Sequence, residues 1–260
     1  MNKTGGGRGP DERLWKPEVD KAGNGYAVIR FLPAPAKEEL PWAQVWSHAF
    51  QGPGGWFIEN CLTTVGGQCP VCEKQKRKLS YYSNIYVVKD PLHPENEGKV
   101  FLYKYGKKIH DKIVEALKPQ FEDEQPIDPF CFWKGADFKL KIVKQDGYWN
   151  YDRSEFSAPG TLGDFDDEQL EAIYNQEYSL SDFTDPKNFK SYEELEARLN
   201  LVLGRTSRAA VVQEEEQELD TPVSFNEPST PEPSGFGSAV SSMKEEEDPD
   251  LSYFAKLAEE

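Results

Sequence analysis

The rhythm of apolar and polar positions changes several times over the first 204 residues, and each change predicts an element. Residues 26–32 and 43–50 are rich in β-branched and aromatic side chains and are separated by a Pro-rich stretch, as two strands would be. Gly52-Pro-Gly-Gly55 then turns the chain into residues 56–59, the partner strand of a hairpin. Residues 81–89 and 99–105 read as two more strands around the turn-rich segment from Asp90 to Gly98, and residues 138–143 alternate as a strand does. Helical spacing appears at 109–117, where Ile109, Ile113, Val114, Ala116 and Leu117 are apolar and Pro119 ends the run. Residues 166–178 and 191–203 are also helical. The second opens on a capping box, Ser191 with Glu194, and stops at Gly204. Short strands at close spacing with few helices predict a β-rich α+β chain built on a small barrel.

Past Gly204 the periodicity stops. Residues 205–260 hold fourteen acidic and four basic side chains, a net of −10 out of −16 for the whole chain, and are rich in Pro, Ser and Glu. Such a segment buries too little apolar surface to offset its ordering entropy, so it is expected to be a disordered acidic tail. Its last stretch, with Leu251, Tyr253, Phe254 and Leu257, reads either as a frayed end or as a short motif that folds on a partner. The organisation expected is a short flexible start at 1–19, a core at 20–204 and the tail at 205–260. No run approaches the roughly 18 apolar residues of a membrane span, and the polar, Gly-rich Met1 to Pro10 is not a signal peptide. A membrane protein and a secreted one are therefore not expected. In an intracellular chain four cysteines point to metal or redox chemistry before disulfides.

His48, Cys61, Cys69 and Cys72 follow one another as His-x12-Cys-x7-Cys-x2-Cys. Structural zinc is held by four Cys and His ligands at tetrahedral corners, and the hairpin would bring His48 and Cys61 to one end. A closed Cys3His site, with one structural Zn2+ in a subdomain at about 43–75, accounts for all four residues together. Unlinked reduced cysteines beside a core histidine, and a redox Cys-x-x-Cys, are the competing readings. The redox pair lacks the strand-to-helix context such motifs have. Cys131 has no partner in the sequence and reads as packing.

Residues 74–118 carry eleven basic and five acidic side chains, a net of +6 inside an acidic protein. Tyr81, Tyr82, Tyr86, Phe101, Tyr103 and Tyr105 are interleaved with them. Cations neutralise phosphates, and flat rings on strands offer faces to unpaired bases, each stack contributing about 1–3 kcal/mol without regard to sequence. Duplex DNA hides those faces, so the combination selects single strands. Tyr81, Tyr82, Tyr103, Lys104 and Tyr105 are candidates on this ground. The alternative is that the tyrosines are core and the lysines ordinary surface.

The residues also resemble a known family, the single-stranded DNA-binding (helix-destabilising) proteins of T-even-like bacteriophages. The likeness runs from about Asp20 to Gly204. It is carried by Ala22-Gly-Asn-Gly-Tyr-Ala-Val-Ile-Arg-Phe-Leu-Pro33, the His48–Cys72 set, Lys76-Arg-Lys-Leu-Ser80, Val87-Val-Lys-Asp-Pro91, Pro94-Glu-Asn-Glu-Gly-Lys-Val-Phe101, Trp133-Lys-Gly-Ala-Asp-Phe138 and Gly147-Tyr-Trp-Asn-Tyr-Asp152. The resemblance implies an OB-fold barrel with a small zinc subdomain and a groove for single-stranded DNA. It further implies that Trp56, Tyr82, Tyr103, Tyr148 and Tyr151 line that groove while Lys76, Arg77, Lys78, Lys107 and Lys108 face the backbone. The implied setting is phage DNA replication, recombination and repair in the cytoplasm of an infected bacterium, with no catalysis. The acidic tail would recruit replication and recombination proteins and cover the groove when DNA is absent.

Two departures from the family pattern bear on these expectations. Met1 to Pro17 lacks the basic amphipathic segment that makes coverage cooperative, so self-association on DNA is expected to be weak. Only Glu73-Lys-Gln-Lys76 separates Cys72 from Arg77, so part of the usual stacking surface is expected to be missing. A zinc-containing adaptor and an RNA-binding regulator are the rival functions. A zinc nuclease would need an open coordination position, which four ligands do not leave.

Overall fold

The computed structural model describes residues 11–205 except 122 and 146. The described residues all belong to one compact unit. The expected acidic tail therefore lies, beyond Arg205, outside the described residues.

The strands are β1 (Leu14–Trp15), β2 (Gly25–Phe31), β3 (Ala43–Gly52), β4 (Gly55–Asn60), β5 (Lys78–Lys89), β6 (Val100–Tyr105), β7 (Phe138–Gln145), β8 (Tyr148–Asn150) and β9 (Glu155–Phe156). The helices are α1 (Lys107–Leu117), α2 (Asp167–Tyr174) and α3 (Tyr192–Val202). The strands form one sheet in the order β1-β6-β5-β2-β7-β8, with β3 on β5, β4 on β3 and β9 on β7. The fold class is thus β-rich with few helices, as the sequence predicts. Each strand and helix read from the sequence is present. Helix 166–178 is shorter than expected, because α2 ends at Tyr174.

The long strand β5 organises the sheet. One edge pairs with β6 from Tyr81↔Tyr105 to Tyr86↔Val100. Its other edge serves two strands, β3 at residues 78–82 and β2 at residues 85–89. The hairpin β3–β4 is thereby carried on the first half of β5, and β2 with β7 on the second.

Phe31 is fully buried and meets the rings of Tyr105, Phe130, Phe138 and Phe156. Burying such a side chain contributes about 1.5–3 kcal/mol. Its neighbour Arg30 is also buried; its guanidinium pairs with Asp137 at 2.8 Å and donates to the carbonyls of Cys131 and Gly160 at 3.2 Å. Those bonds tie two connecting loops to β2.

The chain enters the core before the boundary at Asp20. β1 pairs in parallel with β6, and Trp15 is buried, its indole N–H donating to Asp90 at 2.9 Å. Residues 14–15 are too short a strand to show periodicity. Cys131 is only half-buried, and its sulfur accepts the Lys134 N–H at 3.4 Å.

α3 packs Leu195, Leu199 and Val202 on Phe57 and Val71, with Leu62 and Cys69 at the margin. A helix from the end of the core thus supports the loop that carries the cysteines. The Ser191–Glu194 capping box is formed, with both reciprocal bonds.

Candidate nucleic-acid interface and metal centre

The four residues singled out by spacing converge. His48 stands on β3 opposite Glu59 of β4, and Cys61 follows directly after β4. A single 3-10 turn (Leu62–Val65) closes on Gly66 at φ 77°, which returns the chain towards Cys69 and Cys72. The ligand atoms of all four lie within 4.8 Å of one another. His48 Nε2 is 3.6 Å from both Cys69 Sγ and Cys72 Sγ, and the Cys61 and Cys72 sulfurs are 3.4 Å apart. A tetrahedral centre with bonds of about 2.3 Å to sulfur and 2.0–2.1 Å to nitrogen has edges of roughly 3.5–3.8 Å. The residues present therefore fit a four-coordinate metal ion.

The surroundings agree with that fit. His48 Nδ1 lies 3.2 Å from the Lys76 carbonyl, which fixes Nδ1 as the donor and leaves Nε2 its lone pair. Burial, opposed by that carbonyl bond, holds His48 below its ordinary value and so in the neutral, ligating form. Burial and the neighbouring sulfurs of Cys61 and Cys69 push the Cys72 thiol up to about 12. Three thiolates this close repel unless a cation receives them.

The basic candidates lie towards one end of the β5–β6 ladder. The register Tyr81↔Tyr105 sets the start of β5, with Lys76-Arg77-Lys78 at and before it, at the same end as the close of β6, with Lys104, and the start of α1, with Lys107 and Lys108. All six are exposed. Lys107 pairs with Asp111 at 2.6 Å and Lys108 with Asp152 at 3.4 Å. Exposed pairs of this kind contribute about 0–1 kcal/mol, so phosphates can compete for the same cations. Lys112 also donates to the Asp152 carbonyl at 3.0 Å, which holds the segment after β8 against α1.

The expected stacking platform needs correction. Tyr81, Tyr82, Tyr103 and Tyr105 are buried, each at most 9 % exposed, rather than open to bases. Phe101, Tyr103 and Tyr105 do share one face, but that face packs in the main core. Tyr103 meets Trp15 edge-on and Tyr105 meets Phe31. The ring of Tyr81 stacks on His110 at 3.8 Å, and that of Tyr82 on Phe183 at 4.1 Å. The cause is that β5 is covered on both sides, its burial being continuous from Ser80 to Val87.

Other rings remain accessible. Trp56 and Tyr148 are exposed, and Tyr151 is half-buried against the core. Trp56 sits at the Gly52↔Gly55 tip of the hairpin, away from the Ser47↔Asn60 end where the metal ligands gather. Trp149, which sequence reasoning did not select, is exposed beside Tyr148, with Lys144 at 6.0 Å from its ring. Also missed were Trp46, over whose ring Arg77 lies at 4.2 Å, and Thr63. Neither sits in a motif; each is picked out only by the side chain it meets in the fold.

A family model described as gp32 DNA binding protein like matches residues 23–203. The single-stranded DNA-binding protein of Enterobacteria phage T2 is 42 % identical over 228 residues, spanning 78 % of this chain and 76 % of its own. Its namesake from Enterobacteria phage T4 is 42 % identical over 227 residues, 78 % of this chain and 75 % of its own. A single-stranded DNA-binding protein of Escherichia phage SV14 is 48 % identical over 79 residues, which are 28 % of this chain and 70 % of its own.

Proposed function

Because this chain belongs to the gp32-like family of DNA-binding proteins, we propose that it binds single-stranded DNA without sequence preference. The setting of this reading is phage DNA replication, recombination and repair in the cytoplasm of the infected host. Among the described residues no helix is long and apolar enough to cross a membrane. The observation that supports the reading is that Lys76, Arg77 and Lys78 lie towards the same end of the β5–β6 ladder as Lys104, Lys107 and Lys108. Such a set of cations suits a phosphate backbone, and the exposed rings Tyr148 and Trp149 stand on β8, next to the segment held against α1. Trp56 extends the aromatic surface elsewhere.

The mechanism is linkage: a protein that prefers unpaired DNA shifts the duplex equilibrium by mass action, without fuel. The metal is read as one structural Zn2+, since three thiolates and an imidazole in a closed tetrahedron suit it. His48, Cys61, Cys69 and Cys72 would hold it, and bound there it supplies a cross-link. With four protein ligands no position is left for a reacting water, so the reading is of a binder and not an enzyme. The core is read as an OB-fold elaborated by this subdomain. The acidic tail is read as a tethered competitor for the cations and a recruiter of replication and recombination proteins. Weak self-association on the strand completes the proposal.

Quenching of Trp and Tyr emission by oligothymidylate, in a salt series, tests it. Saturable quenching that weakens with salt, and is absent with duplex, is expected. No quenching would reject DNA binding and leave a protein adaptor. Tighter quenching by oligouridylate would point to RNA, because stacking and phosphate contacts do not read the 2′-hydroxyl.

A further inference from the structure

The metal cluster and the basic run are joined by two connections. One is through the main chain: His48 Nδ1 bonds the carbonyl of Lys76, the residue before Arg77. The other runs through a hydroxyl. Thr63 Oγ1 is 3.1 Å from Cys61 Sγ, and it accepts from Arg77 Nη1 at 2.9 Å. A hydroxyl has one proton and two lone pairs. A thiolate demands that proton, which turns a lone pair towards the guanidinium and fixes the direction of the relay.

The platform beneath Arg77 is fastened to the same loop. Its guanidinium lies over the ring of Trp46, whose main-chain N–H donates to Thr64 Oγ1 at 2.9 Å and whose carbonyl accepts the Cys61 N–H at 2.8 Å. Charge agrees with geometry. A divalent ion with three thiolates and a neutral imidazole keeps one net negative charge, and Arg77 is the cation placed against it. Arg77 nevertheless remains exposed, with further guanidinium donors for an incoming phosphate.

We propose that Thr63 is a positioning residue that couples the metal centre to Arg77, so that the bound ion holds this arginine ready for the nucleic-acid backbone. The proposal rests on the DNA-binding reading for its consequence, though not for its geometry.

Two measurements on the full chain test it. In the first, oligothymidylate affinity is followed against salt for Thr63→Val, Thr63→Ser and Arg77→Gln, with metal content and melting checked on each sample. Thr63→Val is expected to keep its metal while the slope of log affinity against log salt falls by about 0.7, the share of one phosphate on a single strand. That is roughly an eightfold loss at about 0.05 M salt. Thr63→Ser keeps the hydroxyl and should restore both values, and adding Thr63→Val to Arg77→Gln should cost nothing more. An unchanged slope in metal-loaded Thr63→Val, or additive losses in the double variant, would overturn the coupling.

The second measurement is metal transfer to a chromogenic chelator. Coupling is reciprocal in affinity, so Arg77→Gln, a surface change, should yield the ion several-fold more readily to the chelator at equilibrium. An unchanged metal affinity would overturn the proposal, also in the event that Thr63→Val loses its metal. Were the wild-type chain to show no quenching at all, the DNA reading would fail while the chelator equilibria still decided the coupling.

Discussion

Glu177 presents a carboxylate whose two oxygens are buried without a hydrogen-bond partner. Its neighbour Glu38 takes the available donors, accepting from Ser179 Oγ at 2.7 Å and from the N–H groups of Leu180 and Ser181. Burial first, and the Glu38 charge second, push Glu177 from its ordinary 4.5 up to about 8. Between those two values the native state holds more protons than the unfolded chain, so stability falls as pH rises across that window. Melting followed from pH 5 to pH 8 should show this decline, and Glu177→Gln should flatten it and melt higher at the alkaline end. A variant as pH-dependent as the parent would disprove the assignment. Nothing in the sequence marks Glu177, because its partner Glu38 is far away along the chain.

Elements meet here through backbone as well as side chains. The turn of the β3–β4 hairpin is pressed against the end of α3, where Gly54 N–H donates to the Val202 carbonyl at 2.8 Å. A Cβ on Gly54 would collide with the Leu201 carbonyl oxygen, and one on Gly52 with that of Val202. These atoms belong to main chain that cannot step aside cheaply. Gly54→Ala should therefore destabilise by about 1–3 kcal/mol in denaturant melts. A stability equal to wild type would show that the helix end gives way freely. Because α3 also covers Val71 between two of the cysteines, the same variant should release metal to a chelator sooner.

Over the molecule as a whole, net charge misleads and distribution informs. The chain carries −16, yet residues 74–118 carry +6, and six of their cations lie towards one end of the β5–β6 ladder. If the acidic tail competes for them, a chain ending at Gly204 should bind oligothymidylate more tightly than the full chain, most clearly at low salt, where screening is weakest. Equal affinities at low salt would remove masking from the proposal. Chelation should act on the loop between Cys61 and Cys72, lowering the melting temperature and weakening binding, because an ion held by His48, Cys61, Cys69 and Cys72 would close that loop. Melting unchanged by chelator would reject a structural metal.

Local chemistry was written in the sequence. Strand alternation, the Gly52–Gly55 turn, the Ser191 capping box and the spacing of His48, Cys61, Cys69 and Cys72 each involve residues close along the chain. Whether a ring on a strand faced water or core was not legible. The alternation of β5 announces two faces, but Phe183 and Phe165, some eighty to a hundred residues on, cover the one that bears Tyr82 and Tyr86. The same holds for Trp15 on Asp90. A sequence fixes which side chains can pair or stack; which of them do is decided when tertiary contacts choose the partner, and with it the surface left for a ligand.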